Sequence, residues 1–222
     1  MIVLALDTAT TDLVAGVVDT RGEPRVLAES VTATRAHNEE LVPTVTRLLA
    51  EAGVGFADIG AVVVGCGPGP FTGLRVGMAT ASAFGQALGV PVHGVVTHDA
   101  VAKLIDAPVT LVATDARRKE VYWAKYASGE RAAGPAVTEP SEVDTADAKV
   151  VSVPPHLAEQ LPASGAEFTY VAPSPLGLVA AADLSSEPAP LVPHYLRRPD
   201  AKEPAPAPRS AAIPVVDLGE LK

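Results

Sequence analysis

Ala61-Val62-Val63-Val64-Gly65-Cys66-Gly67-Pro68-Gly69-Pro70-Phe71-Thr72-Gly73-Leu74-Arg75 is the stretch from which the fold is read. Residues 61–66 form a continuous apolar run, the pattern of a strand buried on both faces. Residues 67–72 follow as a loop, and 73–88 as a helix in which Gly73, Gly77, Ala81 and Gly85 recur every four residues. A loop that leaves a buried strand and enters a helix can turn backbone N–H groups toward an anion, with Thr72 as the helix N-cap. It can equally be a rigid turn whose prolines fix its path. It is neither a nucleotide P-loop nor a dinucleotide fingerprint, because the Lys-Ser/Thr pair and the G-x-G-x-x-G spacing are both missing. The four-residue repeat leaves one helix face almost bare. Each glycine in a helix interior costs about 0.8–1 kcal/mol relative to alanine. A close backbone approach must offset that cost, from the underlying sheet or from a partner's helix.

Upstream, residues 1–7, 11–19 and 25–33 read as three strands, with Asp19-Thr20-Arg21-Gly22 as a turn, which gives an antiparallel meander. A helix over 39–53 carries Leu41, Val45, Leu48 and Ala52 on one face, widened by Val42 and Leu49, and Gly53 stops it. Pro43 has no N–H to give, so this helix starts near 38–41 or kinks. Downstream come a strand at 92–97 and a short helix at 98–105, completing a β-β-β-α-β-α-β-α order. The second half holds strands at 109–114, 120–127, 149–153 and 168–171, with short helices at 157–161 and 176–184. Residues 199–222 read as an Ala/Pro-rich extended or disordered tail, whose last residues, 215–221, could dock back. No internal sequence repeat is visible.

Of 18 glycines, 11 lie between Gly53 and Gly94, and of 21 prolines, 15 lie between Pro135 and Pro214, so the two halves are built differently. With 48% hydrophobic and 19% charged residues in a chain of 222, a sizeable core is expected. The net charge of −9 argues against a protein that grips nucleic acid by itself, though not against a subunit of a larger assembly. The single cysteine, Cys66, excludes an internal disulfide and a cysteine-based zinc cluster and fits a reducing cytoplasm. No stretch is long and apolar enough to span a membrane.

Three further places can carry chemistry. Asp7-Thr8-Ala9-Thr10-Thr11 ends the first strand with a carboxylate and hydroxyls, which can hold magnesium and a phosphate, or simply close a turn. His37, with Glu39 and Glu40, invites a metal reading, but the second histidine wanted at i+4 is Leu41. Asp115-Ala116-Arg117-Arg118-Lys119-Glu120 joins two strands and concentrates positive charge, which can meet an acidic partner or RNA phosphate, or form a solvated hairpin tip. Cys66 has no neighbouring base in sequence, so packing is favoured over nucleophilic chemistry. No serine- or zinc-hydrolase motif occurs.

Ile2-Val-Leu-Ala-Leu-Asp7-Thr-Ala-Thr10, His37 with Leu41 and Pro43, Gly67 to Arg75 with Gly77, Asp115 to Tyr122, and Pro193-His-Tyr195-Leu-Arg197 together resemble the TsaB family of tRNA threonylcarbamoyladenosine biosynthesis proteins, glycoprotease-like by older label. The resemblance covers roughly residues 1–200; Pro70 departs from it, since the family usually has Ser there. It implies an α/β, actin-like ATPase (ASKHA) fold of two ribonuclease-H-like lobes, each a mixed sheet with helices, over 1–105 and 106–198. It also implies a non-catalytic subunit that pairs with the catalytic paralogue TsaD and works with the ATPase TsaE. The group transferred would be a threonylcarbamoyl, delivered to the adenosine beside the tRNA anticodon, with tRNA met indirectly through the complex.

Pairing, and homodimerisation when alone, would use the helices 39–53 and 73–88, hence His37, Leu41, Val45, Leu48, Gly73, Gly77, Met78, Ala81 and Gly85. Asp7, Thr8, Thr10, Gly67, Gly69, Thr72 and Arg75 would be a vestigial phosphate loop, and Arg117, Arg118 and Lys119 a basic contact. The residues agree with inactivity on their own terms. A second phosphate loop needs a glycine turn, where this chain has Ala116, Arg117 and Arg118, and Leu41 removes half of a histidine pair. No cofactor or metal of its own is expected; ATP and metal would sit on the partners. The competing expectation is an independent actin-like ATPase or phosphotransferase. Peptidase activity has no nucleophile–base pair behind it.

Overall fold

In the computed structural model, which describes residues 1–197, the central strand is β1 (Ile2–Asp7), buried at every position. It pairs antiparallel with β2 (Asp12–Asp19), which pairs antiparallel with β3 (Arg25–Ala33). On its other edge β1 pairs parallel with β4 (Ile59–Gly65), and β4 with β5 (Val92–Val95). The order is β3-β2-β1-β4-β5. Alternation along β1 serves two cores. Leu4 and Leu6 face α1 (His37–Ala52) and α2 (Phe71–Leu88), meeting Leu41, Val45, Leu48 and Ala81. Val3 and Ala5 face the opposite side, toward α3 (Thr97–Ala102).

The second sheet is built from β6 (Val109–Asp115), β7 (Val121–Ala127), β8 (Glu130–Thr138), β9 (Val150–Ser152) and β10 (Glu167–Thr169), in the order β10-β9-β6-β7-β8. β6, β7 and β8 are antiparallel neighbours, while β9 and β10 extend the other edge in parallel. This is the strand plan of the first sheet repeated, so the two-lobed actin-like architecture is present although no repeat is visible in the sequence. What repeats is the order of pairing, which many side-chain choices satisfy. β8 was not foreseen because it is an edge strand with mostly exposed residues and Gly134-Pro135 inside it.

After α4 (Pro155–Ala158), which adds Leu157 to the second core, the chain returns to the first lobe. α5 (Pro175–Ala181) sets Leu178 and Val179 among Val3, Ala5, Val14 and Val63. Residues 106–198 therefore do not all stay with the second lobe. The expected tail, 199–222, lies outside the described residues.

Several expectations need correction. α1 starts at His37, so Pro43 sits seven residues in, beyond the first turn, with an exposed side chain. α2 starts at Phe71 with Pro70 in the N-cap position, so Thr72 is not the cap. Most importantly, the bare face of α2 looks inward. A Cβ at Gly73 would lie 2.4 Å from the Thr8 carbonyl oxygen, one at Gly77 2.4 Å from Thr8 Oγ1, and one at Gly85 2.2 Å from Val92 Cγ2. The helix is stripped so that it can lie directly on the β1–β2 turn and β5. Leu41, Val45, Leu48 and Ala81 are likewise no more than 1% exposed, consumed by the chain's own core. Gly73, Gly77, Ala81, Gly85, Leu41, Val45 and Leu48 cannot form a partner surface. His37 and Met78 remain half-buried.

Replacing Gly73 by alanine should therefore destabilise the chain by about 1–3 kcal/mol through overpacking, although alanine favours helix. The check is a urea midpoint that falls with an unchanged slope.

Candidate functional site

The carboxyl ends of β1 and β4 meet where parallel strands of an open α/β sheet usually receive a ligand. The loop between β4 and α2 folds over this end. Gly65 makes room for the Asp7 carboxylate, since a Cβ there would fall 1.9 Å from Oδ2, and Gly69 does so for the Ala9 carbonyl, at 2.0 Å. Thr8 Oγ1 donates to the Gly73 carbonyl at 2.7 Å. The Gly67–Pro68 bond is cis, and the Gly67 carbonyl accepts from Thr97 N–H at 2.8 Å.

Asp7 is 1% exposed, and both its oxygens are engaged. Oδ1 accepts from Ala9 N–H and Oδ2 from the Thr97 hydroxyl, each at 2.7 Å. Burial pushes its pKa up to about 6, against the pull of those two donors. Such a carboxylate is a strut and does not fit a magnesium ligand. Of the other expected phosphate-loop residues, Thr8, Gly67 and Gly69 are buried in the same contact. Thr10 Oγ1 accepts from Asp12 N–H at 3.1 Å in a local turn. Thr72 and Arg75 point away from it, exposed on α2. Among the described residues no three His, Cys, Asp or Glu side chains form a metal-holding group. His37 Nε2 is enclosed without a hydrogen-bond partner. Burial pushes the Cys66 thiol up to about 12, helped by the nearby Asp7 charge, so it is no nucleophile at neutral pH.

Three consecutive residues of α3 tie this end to the second lobe. Thr97 holds Asp7; His98 Nε2 meets Thr114 Oγ1 at 2.9 Å; Asp99 accepts from the Tyr126 hydroxyl at 2.7 Å. His98 is completely buried, and burial, with the Arg131 charge adding to it, pushes its pKa down to about 3. At the far side Ala116 is buried, whereas Arg117, Arg118 and Lys119 are exposed at the β6–β7 tip. That tip holds side chains where a second phosphate loop would offer backbone amides.

A strap, residues 191–197, runs between the lobes over the same end. Leu191 joins the first core, and His194 N–H donates to the Cys66 carbonyl at 2.9 Å. The Tyr195 ring lies 5.0 Å from that of Phe71, and Arg75 stacks 3.9 Å above Phe71. Arg197 ends the strap on the second lobe, donating to the Arg117 carbonyl at 3.0 Å and pairing with Glu120. Two shallow depressions run along the outer face of α2, one of about 420 Å³ between α2 and Asn38 of α1 and one of about 330 Å³ between α2 and the strap. Phe71, Arg75, Ala79 and Ser82 line them, with Val76 and Met78 at the sides and Tyr195 at the strap. Phe71 and Tyr195 are 47% and 39% exposed, large for aromatic rings. This outer face escaped the sequence reading because the glycine repeat drew attention to the opposite one. The signal that could have found it is Phe71, Arg75, Ala79 and Ser82 at i, i+4, i+8 and i+11.

With this geometry in hand, the chain matches the profile of the family described as "TsaD: tRNA N6-adenosine threonylcarbamoyltransferase" over residues 28–186. The chain belongs to this family. An uncharacterized protein of Mycobacterium tuberculosis is 53% identical over 90% of the chain and 93% of its own length. The Escherichia coli "tRNA threonylcarbamoyladenosine biosynthesis protein TsaB" is 36% identical, over 59% of the chain and 57% of that protein. A solved structure, "YeaZ from Pseudomonas aeruginosa", superposes with a TM-score of 0.69 at 28% identity, covering 81% of the chain and 89% of that structure. Within the family, then, the likeness is to its TsaB (YeaZ) members. No helix among the described residues is long and apolar enough to cross a membrane.

Asp7 and His98 should oppose each other in acid. The raised Asp7 pKa gives stability that is complete below about 3.8 and lost as pH rises to about 6. The lowered His98 pKa gives stability that is complete above about 6.5 and lost as pH falls toward about 3. Asp7→Asn keeps the acceptor for Ala9 N–H and removes only the first effect. It should gain up to about 3 kcal/mol over the unaltered chain at pH 7 and nothing at pH 3.5, as read by denaturation at both values.

Proposed function

We propose that the chain is a non-catalytic subunit of the tRNA threonylcarbamoyladenosine machinery, pairing with a TsaD-type catalytic subunit. The observation that carries this reading is that the would-be active end is filled from within. The Asp7 carboxylate is spent on Ala9 and Thr97, and the loop glycines are spent on accommodating Asp7, Ala9 and Thr8. The names of the TsaB relatives support the process, and the exposed aromatic and apolar face of α2 supports pairing.

The pairing face is the outer one, Phe71, Arg75, Ala79 and Ser82, with Tyr195 from the strap and Val42, 46% exposed, from α1. The same face would serve a homodimer in the absence of the partner. TsaE joins as the assembly's ATPase. ATP and metal reside on the partners, and the complex works in the cytoplasm on tRNA.

Ala79→Arg is the direct test. It should abolish co-purification with a TsaD-type subunit while leaving the thermal midpoint within about 1–2 °C, since surface substitutions change stability by less than about 0.5 kcal/mol. Pairing at full strength would defeat the reading. The competing possibility, an independent ATPase or phosphotransferase, predicts sub-millimolar Mg-ATP binding to the isolated chain, lost in Asp7→Ala. Calorimetry is expected to find none.

A further inference from the structure

The β6–β7 tip has a backbone that its sequence does not favour. Arg117, Arg118 and Lys119 have φ of 59°, 55° and 61°, three consecutive non-glycine residues in the left-handed region. Each such residue costs about 1–2 kcal/mol, and strain of this kind tends to gather where side chains have a task. The turn is braced from beneath. Arg117 N–H donates to Asp115 Oδ1 at 2.6 Å, Ala116 N–H to the Glu120 carbonyl at 3.0 Å, and Glu120 N–H to the Arg117 carbonyl at 3.1 Å. Arg197 adds its bond to the Arg117 carbonyl and its ion pair with Glu120. Glycine or asparagine would hold this shape at lower cost. The chain instead places three exposed cations here, and nowhere else in its sequence are three consecutive residues all basic.

We infer that this tip is a phosphate contact for the RNA of the assembled complex, a step that rests on the pairing proposed above. In a helical backbone successive side chains diverge by about 100°, so the three cations fan out. A fan suits charge spread along a phosphate backbone better than one carboxylate cluster. Position argues the same way. Tyr195 belongs to the α2 face and Arg197 to the tip, and two residues of chain span at most about 7 Å. The tip therefore lies beside the face at which the catalytic subunit docks, within reach of RNA held there. Contact is through phosphates and carries no base specificity. The chain's overall charge of −9 keeps RNA off the rest of its surface.

The test uses the full chain paired with its TsaD-type subunit and unmodified tRNA, with affinity followed by fluorescence anisotropy from 50 to 200 mM salt. Arg117→Gln/Arg118→Gln/Lys119→Gln should leave pairing intact, lower the slope of log affinity against log salt by about 2–3, and weaken binding at least tenfold. Lys119→Gln alone, which leaves the braced residues untouched, should lower the slope by about 1. Arg118→Lys, which keeps the charge, should preserve it. An unchanged slope in both Gln variants, with pairing intact, overturns the inference and leaves the pairing proposal standing. Loss of pairing in the triple variant, with tRNA binding unaffected by Lys119→Gln, also overturns it, since the tip then serves an acidic protein surface. Failure of the unaltered chain to pair removes both.

Discussion

Everything in the first lobe depends on one contact, the β1–β2 turn lying against the start of α2. Thr8 and Ala9 are backbone and small side chain, and the surface that receives them is Gly69, Gly73 and Gly77. A methyl group at any of the three would meet an atom within 2.4 Å. Asp7, like Val3 and Ala5, faces the α3 side of the sheet, and its carboxylate finds its donors in its own neighbour Ala9 and in Thr97 of α3. The helix propensity given up at the glycines is offset by this closeness. The same closeness turns the opposite face of α2, with Phe71, Arg75 and Ala79, outward.

The first lobe was legible because its signals are strong and local. The buried runs 1–7 and 61–66, the stripe on the first helix and the left-handed stop at Gly53 are each fixed by residues within a few positions. The direction in which a glycine face points is a different kind of fact. A bare stripe meets the need for close approach whether the approaching backbone is one's own or another's, and Thr8, which settles it, lies 65 residues away from Gly73. Burial of Leu41, Val45 and Leu48 follows from the same ambiguity, since an apolar stripe on a helix reads alike for core and interface. The second lobe was less legible for want of pattern. β9 and β10, of three residues each, coincide with the strands expected at 149–153 and 168–171, and β8, an exposed edge with a proline, is the strand that had no signal.

Between the lobes the bonds sit at different depths. His98, on Thr114, and Asp99, on Tyr126, occupy the inside, while Lys103, on Gly129 and Glu130, Tyr170, donating to Asp12 at 2.8 Å, and Arg197 occupy the surface. The elements that face each other across the lobes are thereby cross-linked by side chains. That arrangement fixes the spacing between the α2 face on one lobe and the basic tip on the other.

The return of α5 to the first sheet has a consequence for how the chain is made. Val3, Ala5, Val14 and Val63 are synthesised early, but one side of their sheet has only Ala100 of α3 against it until Leu178 and Val179 have left the ribosome. The first lobe cannot finish folding ahead of the second, as amino-terminal units generally do during synthesis. Instead, an apolar sheet face waits through the translation of more than a hundred further residues. The growing chain thus has a window in which chaperones, or another nascent copy, meet a surface that the finished molecule never shows.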